Sequence, residues 1–146
     1  MISLQEIDQN NFQECIELER KSHKYVGDAT YVLAEAYTYR HNSNAYGIYE
    51  DDTIIGLVIL RDRPRNQDYS FTDLFIADPF QSRGFGKLAV EEIIKKFEKE
   101  GKADRVEIYV HNTNDTAIRL YMKVGFVEAG KAAWDEEFVR FYYQIQ

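Results

Sequence analysis

The chain has 146 residues, of which 45% are hydrophobic, enough for the core of one domain spanning 1–146. Its net charge of −7 argues against a nucleic-acid partner and suits a cationic ligand, although the same charge also serves solubility. Cys15 is the only cysteine, the three histidines are scattered, and no apolar run approaches the roughly 20 residues of a membrane helix. We therefore predict a cytoplasmic protein with no metal site, disulfide framework, signal sequence or membrane contact.

The first half of the chain predicts three strands and two helices. In chain order these are a strand from Ile2 to Ile7, a helix capped by Asn10 or Asn11 and running to about His23, a helix from Tyr31 to Arg40, and hairpin strands Ala45–Glu50 and Thr53–Arg61. The polar segment 62–68 is predicted to be a loop.

The second half alternates strands with helices. The predicted elements are a strand over Ser70–Ile76, a helix over Lys87–Glu98, a strand over Arg105–Val110, a helix over Asp115–Val124, and a closing pair over Phe126–Lys131 and Phe138–Ile145. This alternation favours a mixed sheet covered by helices on both faces.

A glycine loop, Gln81-Ser82-Arg83-Gly84-Phe85-Gly86, joins a predicted strand to a predicted helix. Glycines allow close backbone approach, and the free N–H groups of a helix N-terminus favour a phosphate. A Walker A loop is excluded because Leu88 follows Lys87, where that motif requires serine or threonine. A dinucleotide fingerprint is disfavoured by Ala89 at its third glycine, and a turn without a ligand is the plain alternative.

The loop fits Gln/Arg-x-x-Gly-x-Gly/Ala and resembles the acetyl-CoA pyrophosphate loop of the GCN5-related N-acetyltransferases (GNAT). The run Asn-x-x-Ala-x-x-Leu-Tyr-x-Lys-x-Gly-Phe, from Asn114 to Phe126, resembles the second conserved block of that superfamily. Because both matches occur in the right order, about thirty residues apart, the chain is identified as a member.

This resemblance implies an α/β (α+β) fold, a mixed but mostly antiparallel sheet of about six or seven strands with helices on both faces. The neighbouring strands Ser70–Ile76 and Arg105–Val110 should splay apart and admit acetyl-CoA. The implied reaction is direct acetyl transfer to a primary amine in a ternary complex. Dimers are frequent among similar proteins, so a homodimer is also expected.

We expect the cofactor to be held by the loop and by the two strands beside it. The loop residues concerned are Gln81, Ser82, Arg83, Gly84, Phe85, Gly86 and Lys87, with the N–H groups from Arg83 onward on the pyrophosphate. The backbone of Leu74 and Ile76 should bind the pantetheine arm as an added strand would, and Asn114 should also contact the cofactor.

Tyr121 is the predicted general acid, which would protonate the departing thiolate of the cofactor. The alternative is a core aromatic, because Ala117, Leu120, Tyr121 and Val124 share one helix face.

Asp73 is the predicted general base. The alternative is a strand residue that is solvated or binds a backbone donor. Eukaryotic polyamine acetyltransferases carry a Glu-Asp pair here. In this chain the pair is Thr72-Asp73, so the role of that glutamate cannot be carried over.

The segment Tyr25 to Tyr37 resembles one in bacterial spermine/spermidine N-acetyltransferases. Its candidate substrate residues are Tyr25, Asp28, Tyr31, Glu35 and Tyr37, which together with Asp73 suit a polycation through charge pairing and ring contacts. An ordinary amphipathic helix with surface acids is the alternative.

The sequence therefore predicts acetylation of a polyamine such as spermidine or spermine. The alternatives are another amine (a protein N-terminus, a lysine or an aminoglycoside) and a non-catalytic CoA-binding module.

Overall fold

The computed structural model of the protein describes residues 1–66 and 68–145. Its strands are β1 (Ile2–Glu6), β2 (Ser43–Glu50), β3 (Thr53–Arg63), β4 (Asp68–Ile76), β5 (Arg105–His111), β6 (Val127–Lys131) and β7 (Phe138–Gln144). Its helices are α1 (Phe12–Ile16), α2 (Ala29–Thr38), α3 (Phe85–Glu100) and α4 (Asp115–Val124). The strands form one sheet in the order β1-β2-β3-β4-β5-β7-β6, which confirms the predicted mixed sheet.

All neighbouring strands pair antiparallel except β4 and β5, which are parallel. Along β4 and β5 the described register contains a single pair, Ser70 with Glu107. Beyond Ser70, the edge of β4 that faces β5 therefore has no strand partner. The predicted splaying of the two central strands is confirmed.

The sheet is covered on both faces, as predicted. On one face α3 buries Val90, Ile93 and Phe97 against β3, β4 and β5, and α4 adds Tyr121. On the other face α1 and α2 bury Cys15 and Val32. Because each helix is apolar along one stripe only, two separate clusters form, one on each side of the sheet.

The prediction that the first helix runs to His23 was wrong, because α1 ends at Ile16. The residues that follow are bound to the end of β4: the Asp78 N–H donates to the Glu19 carbonyl at 2.8 Å, and the Lys21 N–H donates to the Asp78 carboxylate at 2.7 Å. These tertiary contacts outweigh the helical pattern. Asn11 occupies the N-cap position without a side-chain cap, and its Oδ1 accepts from the Asp8 N–H instead.

Two further boundaries differ from the prediction. Helix α2 begins at Ala29 rather than Tyr31, because Asp28 caps it and accepts from the Tyr31 N–H at 2.8 Å. Within the predicted loop 62–68, Asp62 and Arg63 continue β3, Pro64–Asn66 form a 3-10 turn and Asp68 begins β4, while Gln67 lies outside the described residues. Among the described helices, none combines the length and apolarity required to cross a bilayer.

Candidate active site

A cavity of about 200 Å³ opens where β4 and β5 separate, and we call it the cleft. Predicted site residues from distant parts of the chain line it together: Tyr25, Asp73, Leu74, Asn114 and Tyr121. The splaying of the strands produces this meeting, because β4 supplies two of these residues and the segment after β5 supplies two more.

Asp73 lies in a β-bulge of β4. Thr72 pairs with Ile59 and Phe75 pairs with Leu57, so two residues of β4 oppose one residue of β3. Asp73 takes a φ of +57°, a left-handed conformation that few residues other than glycine adopt. Such strain commonly marks functional positions, and here it turns the strand at the cleft.

The carboxylate of Asp73 is electrostatically unusual. Burial, followed by the interaction with the neighbouring carboxylate of Glu35, raises its pKa to about 7, against the opposing influence of Arg61 and Arg20. Its Oδ2 is buried without a hydrogen-bond partner among the described residues. A carboxylate with a pKa near neutrality is suited to proton transfer at physiological pH.

Tyr121 is a core aromatic, as one of the two interpretations predicted, and it also has a place on the wall of the cleft. Its ring packs edge-on against Phe71 and Phe126, with centroid distances of 5.8 and 5.6 Å, and the side chain is only 8% exposed. Burial raises the pKa of the phenol well above its ordinary range, so the hydroxyl stays protonated and can act as a donor.

The loop before α3 presents uncovered backbone amides. Gly84 is the N-cap with a φ of +81° and provides no side-chain cap, and Ser82 is also left-handed at +63°. Within the described chain, the N–H groups of residues 82–87 meet no acceptor. The side chain of Gln81 instead donates to the Ile76 carbonyl at 2.8 Å and holds the loop to the end of β4. This arrangement fits a pyrophosphate at the N-terminus of a 16-residue helix.

The residues predicted to contact the cofactor outside the glycine loop lie at the start of α4 and on the unpaired part of β4. Asn114 is the N-cap of α4, where its Oδ1 accepts from the Ala117 N–H at 3.3 Å, and it also lines the cleft. Leu74 and Ile76 lie on the stretch of β4 that β5 leaves unpaired. The backbone there is free to accept an added extended segment.

The mouth of the cleft is bridged by Tyr25. Its hydroxyl lies 2.8 Å from Oγ1 of Thr113, and its ring centroid lies 5.8 Å from that of His111. The Thr113 N–H donates to Nδ1 of His111 at 3.2 Å, and Nε2 of His111 lies 3.3 Å from the Glu137 carboxylate. Sequence analysis named Tyr25 alone, because the partners come from a turn 88 residues away.

The other predicted substrate residues lie outside the cleft, in three different places. The Asp28 carboxylate caps α2, and Asp28 is not among the described residues that line the cleft. Tyr31 and Glu35 border a separate groove on α2, of about 460 Å³, and Glu35 pairs with Arg61 at 3.4 Å. Tyr37 packs on its own neighbour, Arg40, with the guanidinium 4.3 Å from its ring.

Arg61 and Arg63 were not among the predicted site residues. Both lie on the face of β3 toward α2 and line a trough of about 390 Å³ beside the cleft. The signal was present, because the alternation of β3 continues through Arg61 and Arg63, but the predicted strand stopped at Arg61.

A model of the acetyltransferase (GNAT) family matches residues 5–126, and the chain belongs to this family. Over 89 residues it is 33% identical to the uncharacterised N-acetyltransferase YvbK of Bacillus subtilis. That match covers 60% of this chain and 56% of YvbK, and the chain spans about half the length of the curated relatives that it matches.

Solved structures with the same fold include proteins with different acceptors. Spermidine N-acetyltransferase of Vibrio cholerae, in complex with CoA and spermine, superposes with a TM-score of 0.77 at 17% identity, covering 98% of this chain and 95% of that one. The ribosomal-protein-S18-alanine N-acetyltransferase of Escherichia coli gives a TM-score of 0.74 at 16% identity, covering 100% and 95%. At these identities the likeness establishes the fold.

Proposed function

We propose that the protein transfers the acetyl group of acetyl-CoA to a primary amine within the cleft. The observation that carries this proposal is that Asp73 and Tyr121 line the same cavity between the splayed strands. One has a pKa near 7, which suits a base, and the other is a phenol that stays protonated, which suits an acid.

The coenzyme would be held by backbone groups. The free N–H groups of residues 83–87, aided by the dipole of α3, would bind its pyrophosphate. The unpaired edge of β4 at Leu74 and Ile76 would bind the pantetheine arm, and Asn114 would contact it from α4. Bound in this way, acetyl-CoA supplies an activated thioester carbonyl.

The residues of the cleft then move two protons. An alkylammonium has a pKa of about 10.4, so it must lose a proton before it can react near neutral pH. Asp73 takes that proton, and the neutral nitrogen forms a bond to the carbonyl carbon while the carbon–sulfur bond breaks. Tyr121 gives its proton to the departing thiolate, and positioned proton transfer of this kind contributes about 10²- to 10⁴-fold in rate. The acylated nitrogen then releases its second proton to water, and the Tyr121 phenolate left after the transfer regains a proton from water.

A polyamine acceptor stays a prediction from the sequence. The net charge of −7, the pair Asp73 and Glu35, and the tyrosines Tyr25 and Tyr31 support it. It has lost part of its basis, because Asp28 caps a helix and Glu35 already pairs with Arg61. A second candidate is an amine attached to an acyl group, as in an amino acid or a peptide N-terminus, which Arg61 and Arg63 favour.

The test is release of CoA thiol from acetyl-CoA with a panel of amines, in parallel with calorimetry of CoA binding. The panel holds spermidine, spermine, putrescine, lysine, a short peptide and an aminoglycoside. Turnover with any of them that Asp73→Asn and Tyr121→Phe both lower supports the proposal. CoA binding without turnover of any amine would instead support a non-catalytic CoA-binding module.

A further inference from the structure

Three buried side-chain atoms of the described residues lack a hydrogen-bond partner: Nε of Arg61, Nε of Arg63 and Oδ2 of Asp73. Buried polar groups are nearly always paired, so each unpaired atom calls for an explanation. Two of these atoms are donors and one is an acceptor. Arg61 and Arg63 line one trough, and Asp73 lines the cleft that adjoins it, so the three residues belong to one neighbourhood.

This neighbourhood is an open site beside the cleft. Arg61 and Arg63 line the trough of about 390 Å³ together with Ser70 and Thr72. The trough and the cleft share lining residues, namely Phe71, Thr72, Tyr109 and Phe138. A molecule whose amine reaches Asp73 can therefore extend directly into the trough.

The two guanidinium groups retain unused donors. Arg61 makes one contact with Glu35 at 3.4 Å, and Arg63 makes one contact with Asp68 at 3.3 Å. A guanidinium carries five N–H donors in a planar fork, so a single long contact leaves most of them available. The two carboxylates balance the two cations, so what the trough lacks is hydrogen-bond acceptors.

An aromatic wall completes the trough. The rings of Tyr109 and Trp134 have centroids 5.5 Å apart, and those of Trp134 and Phe138 lie 4.8 Å apart. These rings offer an apolar surface to the carbon skeleton of a ligand.

We propose that the acceptor carries, beside its reactive amine, an acyl oxygen that Arg61 and Arg63 bind, as a free amino acid or an N-terminal peptide residue does. This inference rests on the proposed acetyl transfer and narrows its acceptor. A polyamine offers only N–H donors once protonated, so it would supply no acceptor to the guanidinium N–H groups that face the trough and would bring further cations to them. An acyl oxygen supplies the acceptor that these donors lack.

Matched acceptors test the inference. Cadaverine is lysine without its carboxylate, and lysinamide replaces the charge with a neutral carbonyl. We expect kcat/KM for lysine, lysinamide or a short peptide to exceed that for cadaverine by about 10- to 100-fold, the effect of hydrogen bonds to a charged group. Comparing kcat/KM for lysine with that for lysinamide and the peptide shows whether the oxygen belongs to a free carboxylate or to an amide carbonyl.

Variants of Arg63 assign the effect to the trough, because Arg63 pairs with Asp68, whereas Arg61 pairs with Glu35, the carboxylate that also influences Asp73. Arg63→Gln should reduce the ratio of kcat/KM for the preferred acyl amine to that for cadaverine by about tenfold. Arg63→Lys keeps the charge but loses the fork, and it should also reduce this ratio. Arg65→Gln, at an exposed position of the next turn, removes the same charge and should leave the ratio unchanged.

The outcomes are distinguishable. Equal or better turnover of cadaverine and spermidine, with a ratio that Arg63→Gln does not alter, would overturn the acyl-oxygen inference and leave acetyl transfer intact. Absence of thiol release with every amine would overturn the proposed function itself. Thermal melting of each variant shows whether it is folded, so a ratio is read only from folded protein.

Discussion

The hydroxyl of Tyr25 lies 2.8 Å from Oγ1 of Thr113, and this contact joins the connection between α1 and α2 to the turn between β5 and α4. Both residues stand at the mouth of the cleft, Tyr25 on its lining and Thr113 next to Asn114. Thr113 is held in turn by His111, with its Oγ1 2.8 Å from Nδ1. Side-chain contacts therefore connect these two segments beside the cleft, where β4 and β5 separate.

We expect Tyr25→Phe and Thr113→Val to raise the KM for the amine severalfold, because each removes a hydrogen bond worth about 1 kcal/mol. The double variant should cost less than the sum of the two single variants, since both remove the same contact. Steady-state kinetics with the best amine measures this coupling. Tyr37→Phe, at an exposed ring of α2 that is not among the described residues lining the cleft, is the control. Additive effects would show that the two hydroxyls act independently.

Tyr121→Phe should lower kcat by an order of magnitude or more while CoA affinity and melting temperature stay near wild type. The reason is that only the hydroxyl is lost, and the edge-on packing against Phe71 and Phe126 remains. Tyr143→Phe is the matched control, because this ring also packs on Phe126, with a centroid distance of 5.6 Å. Near-normal turnover by Tyr121→Phe under chemistry-limited conditions would leave Tyr121 as a core aromatic alone.

The rate should depend on pH through Asp73. Because its pKa is about 7 and the base must be ionised, kcat/KM should fall about tenfold for each pH unit below this value. Asp73→Asn should remove this dependence along with most of the activity. A pH–rate profile with a fixed, saturating level of acetyl-CoA measures both. A wild-type profile that stays level from about pH 8 to about pH 5 would exclude Asp73 as the base.

The same shift affects stability. The pKa of Asp73 is raised from its ordinary 3.8, so the folded protein keeps a proton that the unfolded chain releases. The stability that Asp73 contributes is therefore greatest below about pH 4 and is lost as the pH rises toward 7. Asp73→Asn cannot ionise, and asparagine tolerates the left-handed backbone at this position. Its melting temperature should exceed that of wild type by a few degrees at about pH 8 and by less at about pH 5.

A matched substitution serves as the control for that experiment. Asp52→Asn, in the exposed turn between β2 and β3, removes the same charge without the burial. Its melting temperature should differ from that of wild type by a similar amount at both pH values. If Asp73→Asn behaves in the same way, the burial of Asp73 has no energetic effect.

The two ends of α3 allow a separate test of the amide loop. Gly84 and Gly101 cap this helix at φ of +81° and +69°, and a methyl group on either would meet no atom within 4 Å. Gly84→Ala and Gly101→Ala should thus lose similar stability, about 1 kcal/mol each, from the backbone alone. Only Gly84→Ala should also weaken CoA binding, which calorimetry measures. Equal CoA affinity in the two variants would exclude the loop as the pyrophosphate site.

Much of the fold followed from periodicity. The spacing of Val90, Ile93 and Phe97 predicts the buried face of α3. The position of Gly125 predicts the left-handed residue that ends α4. The length of α1 could not be predicted from the sequence, because contacts with Asp78, some sixty residues away, determine where the helix ends. The cap of α2 could have been predicted, because Asp28 is a favourable N-cap residue and directly precedes the first residue of the helix. The prediction instead placed Asp28 among the substrate ligands.

The sequence predicted which residues lie at the site better than it predicted their conformation, contacts and pKa. Sequence could place Asp73 before the glycine loop, but its bulge depends on the pairing of β3, and its raised pKa depends first on burial and then on Glu35 of α2. The bridge from Tyr25 to Thr113 joins two turns that no local pattern connects. Properties of this kind arise from distant parts of the chain and have no signature in a short stretch of sequence.

Within the described strands, the register between β4 and β5 contains the single pair Ser70 and Glu107. A coenzyme arm lying along Leu74 would replace the missing ladder, so the ligand would complete the sheet as well as react in it. Amide hydrogens on both sides of the gap should then exchange more slowly in the loaded protein. The concentration of the coenzyme would then determine how rigid the protein is and how well it resists proteolysis.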